Sequence, residues 1–400
     1  MPWKEQSVLD AKMQFIAACL RGEAPMTVLC ERYGISRDTG HRWKRRYDEV
    51  GPAGLEDRSR APHHHGQATE PGLCARLIAL RRQRPHWGAR KLLATLARED
   101  PQAGWPAAST ATDILRRAGL VEARRRRRRA VPVEQPFQAI GQPNDTWCID
   151  FKGWFRTGDG ERCDPLTVTD AHSRYLLCCR IMPERSDPVR AAVDAVFAEY
   201  GLPRAMRSDN GSPFGSRGPA GLSRLAVHWV RLGIRLERIV PGQPQQNGRH
   251  ERMHGTLKAE TSRPPAASAA EQQARFDLYR HDFNHHRPHE ALGQTMPAEH
   301  YHASPRALPA VVPEPWYDAN HAVRRVRPDG SIKCGGALVF VSEALAGELV
   351  GVAETPNGNW LVRFADLDLG VIDRRTQKLI CFAAGRPPRG PASSEARPET

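Results

Sequence analysis

The chain has 400 residues, enough for about two to four domains, and carries no apolar run near the roughly eighteen residues that a membrane span needs. Its net charge of +14 is unevenly spread: residues 1–130 hold 26 Lys and Arg against 14 Asp and Glu, whereas residues 131–400 hold 33 against 31. A basic N-terminal third joined to a near-neutral remainder points to a nucleic-acid-binding module feeding another activity. Met1-Pro2-Trp3-Lys4-Glu5 lacks the apolar centre of a secretory signal and the cysteines form no C-x-x-C pair, so a reduced, cytosolic protein without structural zinc is expected.

In chain order, residues 7–48 predict three helices. Ser7 caps the first, Pro25-Met26-Thr27 opens the second, and Gly34-Ile35-Ser36 is a tight turn into a third, Arg37 to Tyr47. Two short helices joined by a glycine turn form a helix-turn-helix signature. Arg37, Thr39 and Gly40, at the start of the third helix, are placed to read base edges, and Arg42, Lys44 and Arg45 to meet phosphates, with His41 among them. His63-His64-His65 reads as a polar tract in a linker. A second helical unit follows, with a Leu73, Leu77, Leu80 stripe, a helix opened by Trp87-Gly88, and a capped helix from Ser109 that Gly119 ends. It resembles a winged-helix half whose recognition helix starts at Ser109 and Thr110. The six arginines Arg124 to Arg129 cannot fold alone and read as a basic linker.

The composition then changes. Strands are predicted over Thr146 to Phe155, Pro165 to Asp170 and Tyr175 to Ile181, then a helix over 188–200, a strand from Arg204 ending at Asp209-Asn210-Gly211, a helix from Leu222 to Leu232 and a strand from Ile234 to Val240. This order is consistent with one twisted α/β sheet. Pro241 to Gly248 is a turn-rich segment leading into a helix on which Glu251, His254 or Gly255, and Lys258 share a face. Three acids stand at element ends or within a strand: Asp150 in W-C-I-D-F-K-G, Asp209 in R-S-D-N-G and Glu251 in N-G-R-H-E-R.

These motifs, with P-G-x-P-x-x-N-G-x-x-E before the third acid and N-H-H-R-P-H-E-A-L-G-Q-T-M-P over 284–297, resemble the catalytic core of the integrase superfamily, which includes retroviral integrases and bacterial insertion-sequence transposases with a D-D-E triad. The resemblance implies a ribonuclease-H-like fold in which Asp150, Asp209 and Glu251 hold two Mg²⁺ (or Mn²⁺) ions, and in which Lys258 contacts DNA. It further implies a DNA transposase that binds the terminal inverted repeats of its element, cleaves 3′ ends and transfers them into target DNA, as at least a dimer. The alternative is a DNA-binding regulator, or a nuclease, that keeps the core without transposition. Asp209 and Glu251 are separated by 41 residues, more than the family usually shows, and Gly215 to Gly221 reads as the inserted loop. Asp145, Asp170 and Glu260 are weaker metal ligands by position. His172, His250 and His254 read as surface or DNA-facing residues.

Beyond a proline-bearing linker, short β segments from Ala322 to Asp373, separated by Asp329-Gly330 and Pro356-Asn357-Gly358, suggest a small SH3-like barrel. The expected architecture is thus multidomain, with N-terminal all-α helix-turn-helix units, an α/β ribonuclease-H-like core and a C-terminal small β-barrel. Its divisions are a helix-turn-helix domain over 1–60, a second helical unit over 61–123, a basic linker over 124–142, the core with its helical extension over 143–300, a linker over 301–316, the barrel over 317–383 and a disordered tail over 384–400. Double-stranded DNA is the expected partner, with no membrane.

Overall fold

The computed structural model describes residues 7–57, 68–121, 140–240, 246 and 248–382. The histidine tract, the arginine block, most of the turn-rich segment before Glu251 and the C-terminal tail lie outside the described residues. The chain divides into two compact units, Met1–Ala68 and Thr69–Thr400.

The first unit has helices α1 (Val8–Leu20), α2 (Met26–Arg32) and α3 (Arg37–Val50). Ser7 and Asp10 form a reciprocal capping box on α1, and the Thr39 amide donates to Ser36 Oγ at 3.2 Å to start α3. Phe15, Ile16, Leu29, Cys30 and Leu55 make its core. Gly40 is buried, and a Cβ there would come within 2.5 Å of Cys30 Sγ. Its place is packing of α3 on α2, not the base contact expected from its position.

The second unit begins with α4 (Pro71–Gln83), α5 (Ala89–Glu99) and α6 (Ala108–Arg117) around Leu77, Trp87, Leu92, Leu96 and Leu115. Helix α6 starts one residue before Ser109 with no side-chain cap, while Gly119, at φ 71°, ends it as expected. This helical module is docked on the segment after the core. Arg84 pairs with Asp282 at 2.5 Å, Arg98 grips both Glu299 oxygens at 2.6 and 2.9 Å, and Lys91 donates to the Pro288 carbonyl.

The central sheet comprises β1 (Thr146–Phe151), β4 (Pro165–Asp170), β5 (Leu176–Ile181), β6 (Ala205–Ser208) and β7 (Arg235–Arg238), in the order β5-β4-β1-β6-β7; a small β2–β3 hairpin (Phe155–Arg156, Arg162–Cys163) stands apart. Strands β5, β4 and β1 run antiparallel, and β1, β6 and β7 parallel. Helices α7 (Ser186–Tyr200) and α8 (Arg224–Arg231) bury Val189, Val193, Phe197, Leu225 and Trp229 against Trp147, Ile149, Leu166 and Val168. On the other face lie α9 (Gly248–Thr261) and α10 (Ala269–His285), with Met253, Leu257, Phe276, Tyr279 and Phe283 over Leu176 and Cys179. Asn284 and Gln273 complete the unpaired edge of β5. Their side chains accept from the Leu176 and Ile181 amides at 2.8 and 2.9 Å and donate to the Leu176 and Cys179 carbonyls, both at 3.0 Å.

Two connecting segments are held to the core. The Gly215–Gly221 loop is anchored by Arg238, which donates to the Phe214 and Gly221 carbonyls at 2.9 and 3.1 Å. Residues 301–316 are strapped to the core: Tyr301 stacks on Tyr175 at 4.5 Å and the Leu202 amide donates to the Arg306 carbonyl at 2.7 Å.

The C-terminal module has β8 (Ala322–Arg325), β9 (Ser331–Cys334), β10 (Ala337–Phe340), β11 (Leu349–Glu354), β12 (Trp360–Phe364), β13 (Leu367–Asp373) and β14 (Lys378–Cys381). Among the described residues these strands form no closed barrel. They make an antiparallel sheet, β14-β13-β12-β11-β8, and a separate β9–β10 hairpin. Closure would require the edge strands to pair, but β8 is exposed along its whole length and β14 largely so. The hairpin covers the core instead, which also takes in Leu222 and, from α8, Ala226 and Val227. Helix α8 therefore serves two cores, one on each face.

Candidate active site

Asp150 is the fifth residue of β1 and pairs in register with Thr167 of β4. Asp209 directly follows β6, which runs parallel to β1, so both acids stand at the same end of neighbouring strands. The Gly211 amide donates to Asp209 Oδ1 at 3.1 Å, and Arg238 donates to the Asp209 carbonyl at 3.3 Å, anchoring that turn. Glu251 lies exposed in the first turn of α9, and Lys258 lies exposed two turns on. The Asp150 carboxyl is pushed up to about 7, first by burial, then by the Asp209 charge, with Glu251 adding to it and Lys152 opposing. That charge costs about 4 kcal/mol at neutral pH, less than four fully buried neighbours, Trp147, Ile149, Leu166 and Val168, contribute at about 1.5–3 kcal/mol each.

Lys152 was not singled out from the sequence. It follows Asp150 by two residues, half-buried, and its amine is pulled down first by burial and then by the nearby Lys258 charge. The signal was available: Lys152 directly follows β1, its amide still bonded to the Pro165 carbonyl at 2.9 Å, and residues i and i+2 of extended chain share a face. Lys152 and Lys258 thus flank the acids with positive charge.

The two histidines of α9 are not surface residues. His250 and His254 are 2% and 6% exposed and turn toward the sheet, where Thr167 Oγ1 lies 2.7 Å from Nε2 of each and Thr169 Oγ1 lies 2.8 Å from His250 Nδ1. His254 Nδ1 is 3.9 Å from Asp150 Oδ2. Burial pushes His250 down to about 3 and, with His250 beside it, His254 down to about 2, so both rings are neutral. His172 is half-buried at a turn.

The other acids are engaged elsewhere. Asp170 is buried and accepts from the amides of Asn144, His172 and Ser173 at 2.8, 3.2 and 2.7 Å and from Ser173 Oγ at 2.6 Å. Asp145 accepts from Gly141 and Gln142, and Glu260 pairs with Arg287. In the first unit, Arg37, His41, Arg42 and Arg45 are exposed on α3, Thr39 is half-buried at its start, and Lys44 pairs with Asp48 at 2.9 Å.

The donor set suits a divalent cation. The Asp150 and Asp209 carboxylates offer hard oxygens at neighbouring strand ends, and Asp150 is raised by burial first and by the Asp209 charge second. Asp150, His250 and His254 also present one ligand atom each within 4.8 Å of one another.

Two integrase core domain families match residues 141–244 and 232–297, and homeodomain-like and helix-turn-helix families match residues 39–115 and 11–63. The insertion element IS407 uncharacterized 31.7 kDa protein of Burkholderia multivorans is 30% identical over 274 residues, covering 68% of this chain and 88% of that protein. The insertion element IS476 uncharacterized 39.2 kDa protein of Xanthomonas euvesicatoria is 29% identical over 248 residues, covering 60% and 68%. Among solved structures, the HTLV-2 integrase catalytic core domain in complex with magnesium (trimeric form) matches 40% of this chain and 98% of its own at 14% identity, with a TM-score of 0.32. A chain of the simian T-cell lymphotropic virus intasome in complex with PP2A regulatory subunit B56 gamma matches 76% and 99% at 15% identity, with a TM-score of 0.35. The chain belongs to the insertion-sequence transposases that carry an integrase core, within the retroviral integrase superfamily.

Proposed function

We propose that the protein is a DNA transposase that binds the terminal inverted repeats of its element and catalyses divalent-metal-dependent 3′-end cleavage and strand transfer into target DNA. The reading rests on Asp150 and Asp209 standing at the same end of neighbouring parallel strands, with Glu251 in the first turn of α9. Asp150, Asp209 and Glu251 would hold two Mg²⁺ or Mn²⁺ ions. Such ions stabilise charge on the entering and leaving oxygens of a phosphodiester. Lys152 and Lys258 bind phosphates beside the acids and orient the strand, and the buried Thr167–His254 pair fixes the floor under Asp150.

The helix-turn-helix unit supplies end recognition. Arg37 and Thr39 sit at the start of α3, where base edges are reached, and His41, Arg42, Lys44 and Arg45 follow for phosphate contact. We assign residues 1–60 and 61–123 to DNA binding, 143–300 to catalysis and 317–383 to a C-terminal accessory module, in an assembly of at least two copies that holds both ends. The test is a joining assay with labelled end DNA and Mg²⁺. Asp150→Ala, Asp209→Ala and Glu251→Ala are each expected to abolish strand transfer while retaining end binding in a mobility-shift measurement. Metal-dependent joining by any of the three overturns the reading, and cleavage without joining by the unaltered chain makes it a nuclease.

A further inference from the structure

Counting protons in the buried Thr–His network assigns a role to one of its rings. Thr167 Oγ1 lies 3.1 Å from the Asp150 carbonyl oxygen and 2.7 Å from Nε2 of both His250 and His254. A carbonyl oxygen only accepts, so the single hydroxyl proton is directed there. The two lone pairs of Thr167 then accept from both imidazoles, each of which carries its proton on Nε2. His250 Nδ1 accepts from Thr169 Oγ1 at 2.8 Å, so both of its nitrogens are used. His254 is left with a bare Nδ1 whose lone pair lies 3.9 Å from Asp150 Oδ2. This is the one proton arrangement in which every contact of Thr167 is a hydrogen bond.

Two acceptors at that distance make no hydrogen bond and repel each other unless a cation stands between them. A divalent ion about 2.1 Å from each ligand permits up to roughly 4.2 Å between them. The sequence His250-Glu251-Arg252-Met253-His254 has the H-E-x-x-H spacing in which both imidazoles of a zinc-binding helix coordinate. Here the proton count removes His250 and leaves His254.

We propose that His254 Nδ1 is a nitrogen ligand to the cation held by Asp150, and that Thr167, whose hydroxyl proton goes to the Asp150 carbonyl, fixes the tautomer that makes it one. The inference rests on the reading of Asp150, Asp209 and Glu251 as the metal site. A mixed nitrogen and oxygen donor set favours Mn²⁺ over Mg²⁺, which takes oxygen ligands.

The test adds Mn²⁺ alone to the metal-free full chain, with pulsed EPR reporting nitrogen coupling and calorimetry reporting affinity. The unaltered protein is expected to show ¹⁴N coupling that becomes ¹⁵N coupling when its histidines are ¹⁵N-labelled. The coupling persists in His250→Asn and disappears in His254→Ala, which weakens Mn²⁺ binding about tenfold or more and Mg²⁺ binding less. His254→Ala also removes a buried donor to Thr167, so labelling of the unaltered chain decides independently of how that variant folds. Mn²⁺ bound without histidine coupling, but lost in Asp209→Ala, overturns the inference and leaves the three-carboxylate site standing. No Mn²⁺ binding by the unaltered chain, or binding that Asp209→Ala does not weaken, overturns both.

Discussion

Asp150 and Asp170 sit on neighbouring antiparallel strands, three register positions apart, and are the same residue type put to opposite uses. Asp170 is surrounded by donors, three amides and a hydroxyl, which hold the turn after β4 closed and tie it to Asn144. Asp150 faces two other acids and an imidazole lone pair, and its carboxyl is pushed up to about 7. What fills the lone pairs separates the two: donors of the chain hold the Asp170 carboxyl in place, while burial and the Asp209 charge leave the Asp150 carboxyl open to a cation.

That contrast can be broken by exchange. Asp150→Asn is expected to lower strand transfer by about a thousandfold or more, read in a joining assay, whereas Asp170→Asn removes activity only in proportion to the fraction unfolded. Stability should move the other way. Asp170→Asn leaves amides without an anion and is expected to destabilise the protein by about 3 kcal/mol, measured by denaturant unfolding.

The metal-free protein offers a sharper form of the same contrast. Because the folded-state value of Asp150 lies above its usual 3.8, its contribution is favourable below about pH 4 and is lost as pH rises toward about 7. Asp150→Asn should therefore stabilise the metal-free chain by roughly 1–4 kcal/mol at pH 8 and flatten this part of the pH dependence, in thermal melts followed from pH 4 to 8. A variant no more stable than the parent at pH 8 would mean that Asp150 carries no unmet charge.

Smaller effects are expected at the flanking cations. Lys152→Ala and Lys258→Ala should each slow joining by about tenfold, chiefly through DNA concentration dependence, with metal affinity unchanged. On α3, Arg42→Ala and Arg45→Ala should each reduce the salt dependence of end binding by about one unit of log slope, read by fluorescence anisotropy across a salt series. Arg37→Ala should instead narrow the preference for the end sequence over unrelated DNA.

Whatever depends on neighbours along the chain is legible in the order of the residues. Ser7, Ser36 and Gly119 mark helix ends because caps and left-handed turns are local, and the alternation of apolar residues places Asp150 in a strand and Asp209 at the close of another. The motifs around the three acids carried the family without any structure. Tertiary structure alone decided what depends on partners far along the chain. Polar residues on a helix look solvated from their own spacing, and only the threonines of β4, more than eighty residues away, give His250 and His254 buried partners. The same holds for Gly40, which needs Cys30 beside it, for the strap over 301–316, and for the C-terminal strands. Their alternation predicts strands, but whether edges meet to close a barrel is set by register and length across the sheet, which no local pattern encodes.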